Sequence, residues 1–131
     1  MALPRREHAR VRRAFGQNFL SDPQAVRRVI AAAEIRPQDL VYEVGAGRGH
    51  LTLELSRRTR RLVAYEVDPA MAATLPALPG LTVRAEDFLR AAPPAEPFAV
   101  VGNIPYALTS AVVDWCLGAP ALAAATLVTQ L

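Results

Sequence analysis

Strand-like apolar runs alternating with helix-patterned stretches constrain this chain more than any other feature of its sequence. Ser21-Asp22-Pro23 reads as a helix cap with proline at the first helical position, and Val26, Val29, Ile30 and Ala33 then recur on one helical face. Leu40–Val44 is a brief buried strand running into glycines, and His50–Arg58 suits a helix with Leu51 and Leu55 turned inward. A second strand over Arg61–Val67 leads to a proline-opened helix over Pro69–Leu75. Leu81–Arg84 gives a third strand, Ala91–Pro97 a proline-rich surface loop, and Phe98–Gly102 a fourth strand. Thr109–Leu117 follows as a helix and Ala123–Val128 as a fifth strand. Such alternation implies an α/β, Rossmann-like, mostly parallel sheet, connected by right-handed crossovers with helices on both faces.

Composition narrows the class. With 131 residues, 52% of them apolar and 21% charged, the chain suits one globular domain (15–131) behind a basic arm (1–14). No apolar run reaches the roughly 18–20 residues of a membrane span, and the basic start lacks the apolar stretch of a secretory signal. Cys116 is the single cysteine, which excludes an internal disulfide and fits a reducing cytoplasm. His8 and His50 stand apart with no cysteine cluster to join, so no metal site is expected. The net charge of +3 is modest, but Arg5, Arg6, Arg10, Arg12 and Arg13 crowd the arm. Arginine forks match phosphates bidentately, so the arm suits an RNA backbone contact; the alternative is a solvated terminus.

In sheets of this kind ligands bind beyond the carboxyl ends of the strands. Here the first strand ends in Glu43-Val44-Gly45-Ala46-Gly47-Arg48-Gly49, and the second ends at Glu66 and Asp68. Glu86 and Asp87 follow the third, and Asn103 follows the fourth. Four polar strand ends would converge on one edge. Gly45, Gly47 and Gly49 permit unusual dihedrals and close approach of a ligand, and the next helix would aim backbone N–H groups at an anion. A dinucleotide fingerprint needs glycine at position 50, which is His50, so a nicotinamide dehydrogenase is disfavoured. The pattern suits a smaller nucleoside that carries a carboxylate. Glu66, about 20 residues beyond the first glycine, is placed for a ribose cis-diol. Asp87 is placed to accept from an adenine amino group, with the backbone N–H of its neighbour Phe88 for a ring nitrogen; Glu86 is a rival for that role. Trp115 and Cys116 read as packing residues, and Thr129 and Gln130 as strand-end structure.

Gly16-Gln17-Asn18-Phe19-Leu20, Glu43–Gly49 and Asn103-Ile104-Pro105-Tyr106, in this order and separation, resemble the rRNA adenine N6-dimethyltransferases. The resemblance covers nearly the whole chain after the arm. It implies a class I S-adenosylmethionine methyltransferase fold, with S-adenosylmethionine as cofactor and ribosomal RNA as substrate. It sets Asn18 near the methionine moiety, with Leu20 in the same site, Gly45 and Gly47 along that moiety, Glu66 on the ribose and Asp87 with Phe88 on the adenine, and it counts Asn103 among the cofactor-binding residues as well. In Asn103–Tyr106, the Asn103 side-chain oxygen and the Ile104 carbonyl can accept the two hydrogens of a target adenine N6. That favours a pyramidal nitrogen with an available lone pair. Tyr106 can stack on the base, and Pro105 stiffens the turn. The adenine must leave any stack to enter such a pocket, which favours exposed or single-stranded RNA.

Isoleucine at position 104, and the stretches Val113–Leu117 and Thr126–Gln130, resemble the macrolide–lincosamide–streptogramin resistance methylases acting on 23S rRNA. The housekeeping 16S rRNA dimethyltransferases of ribosome maturation are the alternative branch, and a non-catalytic cofactor- or RNA-binding module is a second class. Members of the family continue past the equivalent of Leu131 with further strands, an aromatic motif and a helical C-terminal domain. The expectation is therefore a monomeric cofactor-binding part, truncated before those elements, that retains cofactor affinity with weak or no catalysis.

Overall fold

The computed structural model describes residues 22–130, Gln130 by its backbone. Its elements run α1 (Pro23–Ala33), β1 (Leu40–Val44), α2 (His50–Ser56), β2 (Arg61–Tyr65), α3 (Pro69–Thr74) and β3 (Leu81–Arg84). A 3-10 turn (Phe88–Arg90), β4 (Phe98–Pro105), a second 3-10 turn (Tyr106–Leu108), α4 (Thr109–Leu117) and β5 (Leu122–Gln130) follow. The proline-opened helices begin as the sequence indicates. Asp22 caps α1 by accepting from the Gln24 amide, and Asp68 caps α3 by accepting from the Ala70 amide, each just before a proline.

The strands form one sheet in the order β3-β2-β1-β4-β5, every neighbouring pair parallel. The chain moves outward from β1 through β2 to β3, then returns to the other side of β1 for β4 and β5. Connections from β1 and β4 therefore diverge, and the crevice between their carboxyl ends is the topological switch point where such sheets bind ligands. Alternating side chains feed two cores. On one face Val41, Leu62, Val101 and Val128 pack under Val26, Val29 and Ile30 of α1 and Leu51 and Leu55 of α2. On the other, Val44, Val100, Ile104 and Leu127 meet Val112 and Cys116 of α4. This second face carries a closed ring of aromatics. Tyr42 touches Tyr65, Tyr65 touches Phe88, Phe88 touches Trp115, Trp115 touches Phe98 and Phe98 touches Tyr42, with centroids between 4.3 and 5.9 Å apart.

Several boundaries differ from the sequence expectation. The largest difference is in β4, which continues through Asn103, Ile104 and Pro105 because these pair with Val128, Thr129 and Gln130 of β5. The Asn-Ile-Pro segment is thus the end of the strand rather than a turn after it. Proline is tolerated there because the ladder stops at that residue. β2 stops at Tyr65, two residues short of expectation, because the Glu66 side chain turns back onto the amides of Gly47 and Asp68. Helix α2 ends at Ser56, where the Arg57 amide turns back to the Glu54 carbonyl and the Arg58 amide to that of Leu55. No helix among the described residues is long and apolar enough to cross a membrane.

Candidate functional site

The carboxyl ends of β1, β2, β3 and β4 meet around a pocket of about 290 Å³. Gly45, Glu66, Asp87, Phe88, Asn103, Ile104 and Pro105 all line it, as the strand-end argument requires. Asn18, Leu20 and the arginines of the arm (Arg5, Arg6, Arg10, Arg12 and Arg13) lie outside the described residues.

The glycine turn is built by hydrogen bonds from β2. The amides of Gly45 and Ala46 both donate to the Tyr65 carbonyl, at 2.9 and 3.0 Å, while Gly45 and Gly47 hold φ of +72° and +56°. A side chain at either position would be strained by that left-handed backbone. The Glu66 carboxylate completes the clamp, accepting from Gly47 N–H at 2.8 Å and from Asp68 N–H at 3.0 Å. Glu66 therefore has a duty that sequence spacing did not reveal. It sets the glycine turn while still lining the pocket, and the Gly47 amide is taken up by Glu66 instead of facing an open anion site.

Beneath the turn, Glu43 is buried at 1% exposure and accepts the Thr52 hydroxyl at 2.6 Å. Burial pushes its carboxyl up to about 8, the Thr52 hydrogen bond works against that shift, and the nearby Glu66 charge adds to it. On the opposite wall, Asp87 caps the 3-10 turn by accepting from the Leu89 amide with one oxygen; its second has no partner among the described residues. Its rival Glu86 also lines the pocket, but lies 3.6 Å from the Arg84 guanidinium. That contact favours Asp87 for a neutral donor.

Asn103 is buried, and its Oδ1 has no hydrogen-bond partner among the described residues. Nearly every buried polar oxygen in a native protein is paired, so an orphan on a residue that lines a pocket is an acceptor kept for something else. The Ile104 side chain belongs to the core, whereas Tyr106 is 63% exposed at the start of the 3-10 turn beside the pocket. Apolar wall residues missed in the sequence are Tyr65, Leu89 and Val112, whose side chains also belong to the core, and Val67 and Leu108, both exposed despite their size. A valine directly after the strand-end acid was the available signal for Val67. Leu108 had none, because only the fold carries it back over the pocket. Cys116 is buried in the second core, and burial raises its thiol to about 11, which leaves an inert packing residue. No cluster of metal-ligating side chains occurs among the described residues.

The five parallel strands, their switch-point pocket and the acid-flanked glycine turn define the class I S-adenosylmethionine methyltransferase fold. An O-methyltransferase from Thermotoga maritima, 18% identical, shares it at a TM-score of 0.63 over 78% of this chain and 43% of that one. Within this class the chain belongs to the ribosomal RNA adenine dimethylase family, whose model matches residues 8–131. It is 51% identical to an rRNA adenine N-6-methyltransferase of Saccharopolyspora erythraea, over 98% of this chain and 35% of that protein. It is 40% identical to ribosomal RNA small subunit methyltransferase A of Thermotoga maritima, over 80% of this chain and 39% of that protein. The crystal structure of the 23S rRNA methyltransferase ErmE superposes with a TM-score of 0.82 at 50% identity, covering 87% of this chain and 48% of that one. The chain spans between a third and a half of the length of these relatives.

Proposed function

We propose that this chain is the S-adenosylmethionine-binding part of a 23S rRNA adenine N6-methyltransferase that confers macrolide–lincosamide–streptogramin resistance. The observation that carries the reading is the orphaned Asn103 Oδ1, buried at the pocket between β1 and β4. An amide oxygen there accepts one hydrogen of an incoming N6 amino group, drawing the lone pair out of the ring. Pro105 keeps the strand end rigid, and exposed Tyr106 offers a face for the base. The bound cofactor supplies a methyl group already activated on a sulfonium, so the protein's task is alignment more than proton abstraction. Glu66 holds the glycine turn and meets the ribose, Asp87 and Phe88 meet the adenine, and Gly45 and Gly47 follow the methionine moiety with Asn18 and Leu20. In the division proposed, 15–131 forms this unit and the arm, 1–14, grips phosphate through its five arginines. The 23S substrate is preferred over 16S because identity to the 23S-acting ErmE exceeds that to the small-subunit enzyme.

Calorimetry with S-adenosylmethionine tests the reading. The chain is expected to bind, and Glu66→Ala to weaken binding at least tenfold. A longer form carrying Asn103→Ala is expected to lose methylation of 23S rRNA by far more than its loss of cofactor affinity accounts for. A folded chain that ignores the cofactor, or a longer form that methylates only 16S rRNA, overturns it.

A further inference from the structure

Trp115 reads as a packing residue in the sequence, yet it reaches the site from behind. Its ring lies 4.3 Å from that of Phe88 between centroids, and its Nε1–H donates to the Ala91 carbonyl at 2.9 Å. Phe88 and Ala91 bracket the 3-10 turn whose Asp87, Phe88 and Leu89 form one wall of the pocket. The turn's other hydrogen bonds among the described residues are internal: Leu89 N–H to the Asp87 carboxylate, Arg90 N–H to the Asp87 carbonyl and Ala91 N–H to the Phe88 carbonyl. Internal bonds make a turn rigid without fixing where it sits. Phe88 and Leu89 also pack into the core, but apolar contact is non-directional. The indole N–H adds a directional tie, and it comes from α4, the helix that follows Asn103–Tyr106. One side chain therefore joins the Asp87 wall to the element carrying the target-base segment forward.

We propose that Trp115 is a positioning residue that sets the Asp87–Phe88 wall at the height an adenine requires, so that selectivity for the cofactor's base depends on its indole N–H. This rests on the assignment of Asp87 to adenine made above. Phenylalanine fills much of the same space without the donor. Wild-type chain and Trp115→Phe are titrated by calorimetry with S-adenosylhomocysteine and with S-inosylhomocysteine, whose base presents a carbonyl in place of the amino group. The adenine preference is expected to fall roughly five- to tenfold in the variant, the scale of one lost hydrogen bond. The fall should come through weaker binding of the adenine ligand, with far-ultraviolet circular dichroism unchanged. Equal weakening of both ligands, or an unchanged preference, shows that Trp115 only packs and overturns the proposal.

Should the variant not fold, the wild-type chain decides, because Trp115 is its one tryptophan. Its emission should change in step with S-adenosylhomocysteine binding and stay constant with methionine. Calorimetric binding of S-adenosylhomocysteine without an emission change overturns the proposal, as does an equal change with methionine. A wild-type chain that binds no S-adenosylhomocysteine removes the cofactor reading itself, and this inference with it.

Discussion

Glu43 shows how a single residue can tie the site to solution conditions. It sits under the glycine turn, almost wholly buried, with Thr52 as its hydrogen-bond donor and the Glu66 carboxylate as its charged neighbour. Its folded-state value of about 8 lies above the 4.5 of an ordinary glutamate, so the folded chain holds this proton more tightly than the unfolded chain. Stability from this group is complete below about 4.5 and is lost as pH rises toward about 8. Thermal unfolding followed from pH 5 to 8 should show the wild-type melting temperature falling relative to Glu43→Gln, which keeps an acceptor for Thr52 but cannot ionise. The slope for one proton is at most about 1.4 kcal/mol per pH unit. Parallel curves for the two proteins would rule out a protonated Glu43. Glu66 illustrates the opposite limit of legibility. Its interval from Gly45 marked it as a ligand-facing acid, but its grip on the Gly47 and Asp68 amides depends on how β1 and β2 sit side by side, which spacing does not encode.

At the scale of elements, Gly102 governs how closely β1 and β4 approach beside the pocket. The two strands pair Val44 with Gly102, and a β-carbon on Gly102 would come 2.9 Å from the Val44 carbonyl oxygen and 3.0 Å from its Cβ. Backbone on a central strand cannot yield cheaply, so Gly102→Ala should destabilise the fold by about 1–3 kcal/mol, measured by urea unfolding. Since Asn103 is the next residue, cofactor binding or methylation should suffer as well. A variant with unchanged midpoint would show that the strands can part without cost. Here the sequence was informative about element type and less so about extent. Apolar runs announced the strands, proline openings announced α1 and α3, and apolar residues at helical spacing announced α2, because burial and capping are local signals. The end of β4 was hidden, since Asn103-Ile104-Pro105 looks like a turn until β5 supplies a partner for each residue. The aromatic ring was equally hidden, because its five members come from four strands or turns and one helix.

Across the whole molecule, the pocket is a property of complete folding. Its walls come from the ends of β1, β2 and β4, from the turn after β3, and from Leu108 and Val112 beyond β4, and no two of the strands are joined by a tight hairpin. The unfolded chain accordingly contains no fraction of the site, and a ligand that occupies the switch point interacts with the folded state alone. Mass action then makes melting temperature a meter of occupancy: free ligand at one hundred times its dissociation constant should add about 2.7 kcal/mol of stability. S-adenosylhomocysteine is expected to raise the melting temperature with the logarithm of its concentration, and a melt unshifted by a large excess of it would mean that the pocket does not bind it. The same linkage works in reverse. A chain whose recognition surface exists only in the folded state presents none until it is whole, so a nascent or damaged copy does not compete for the pocket's ligand.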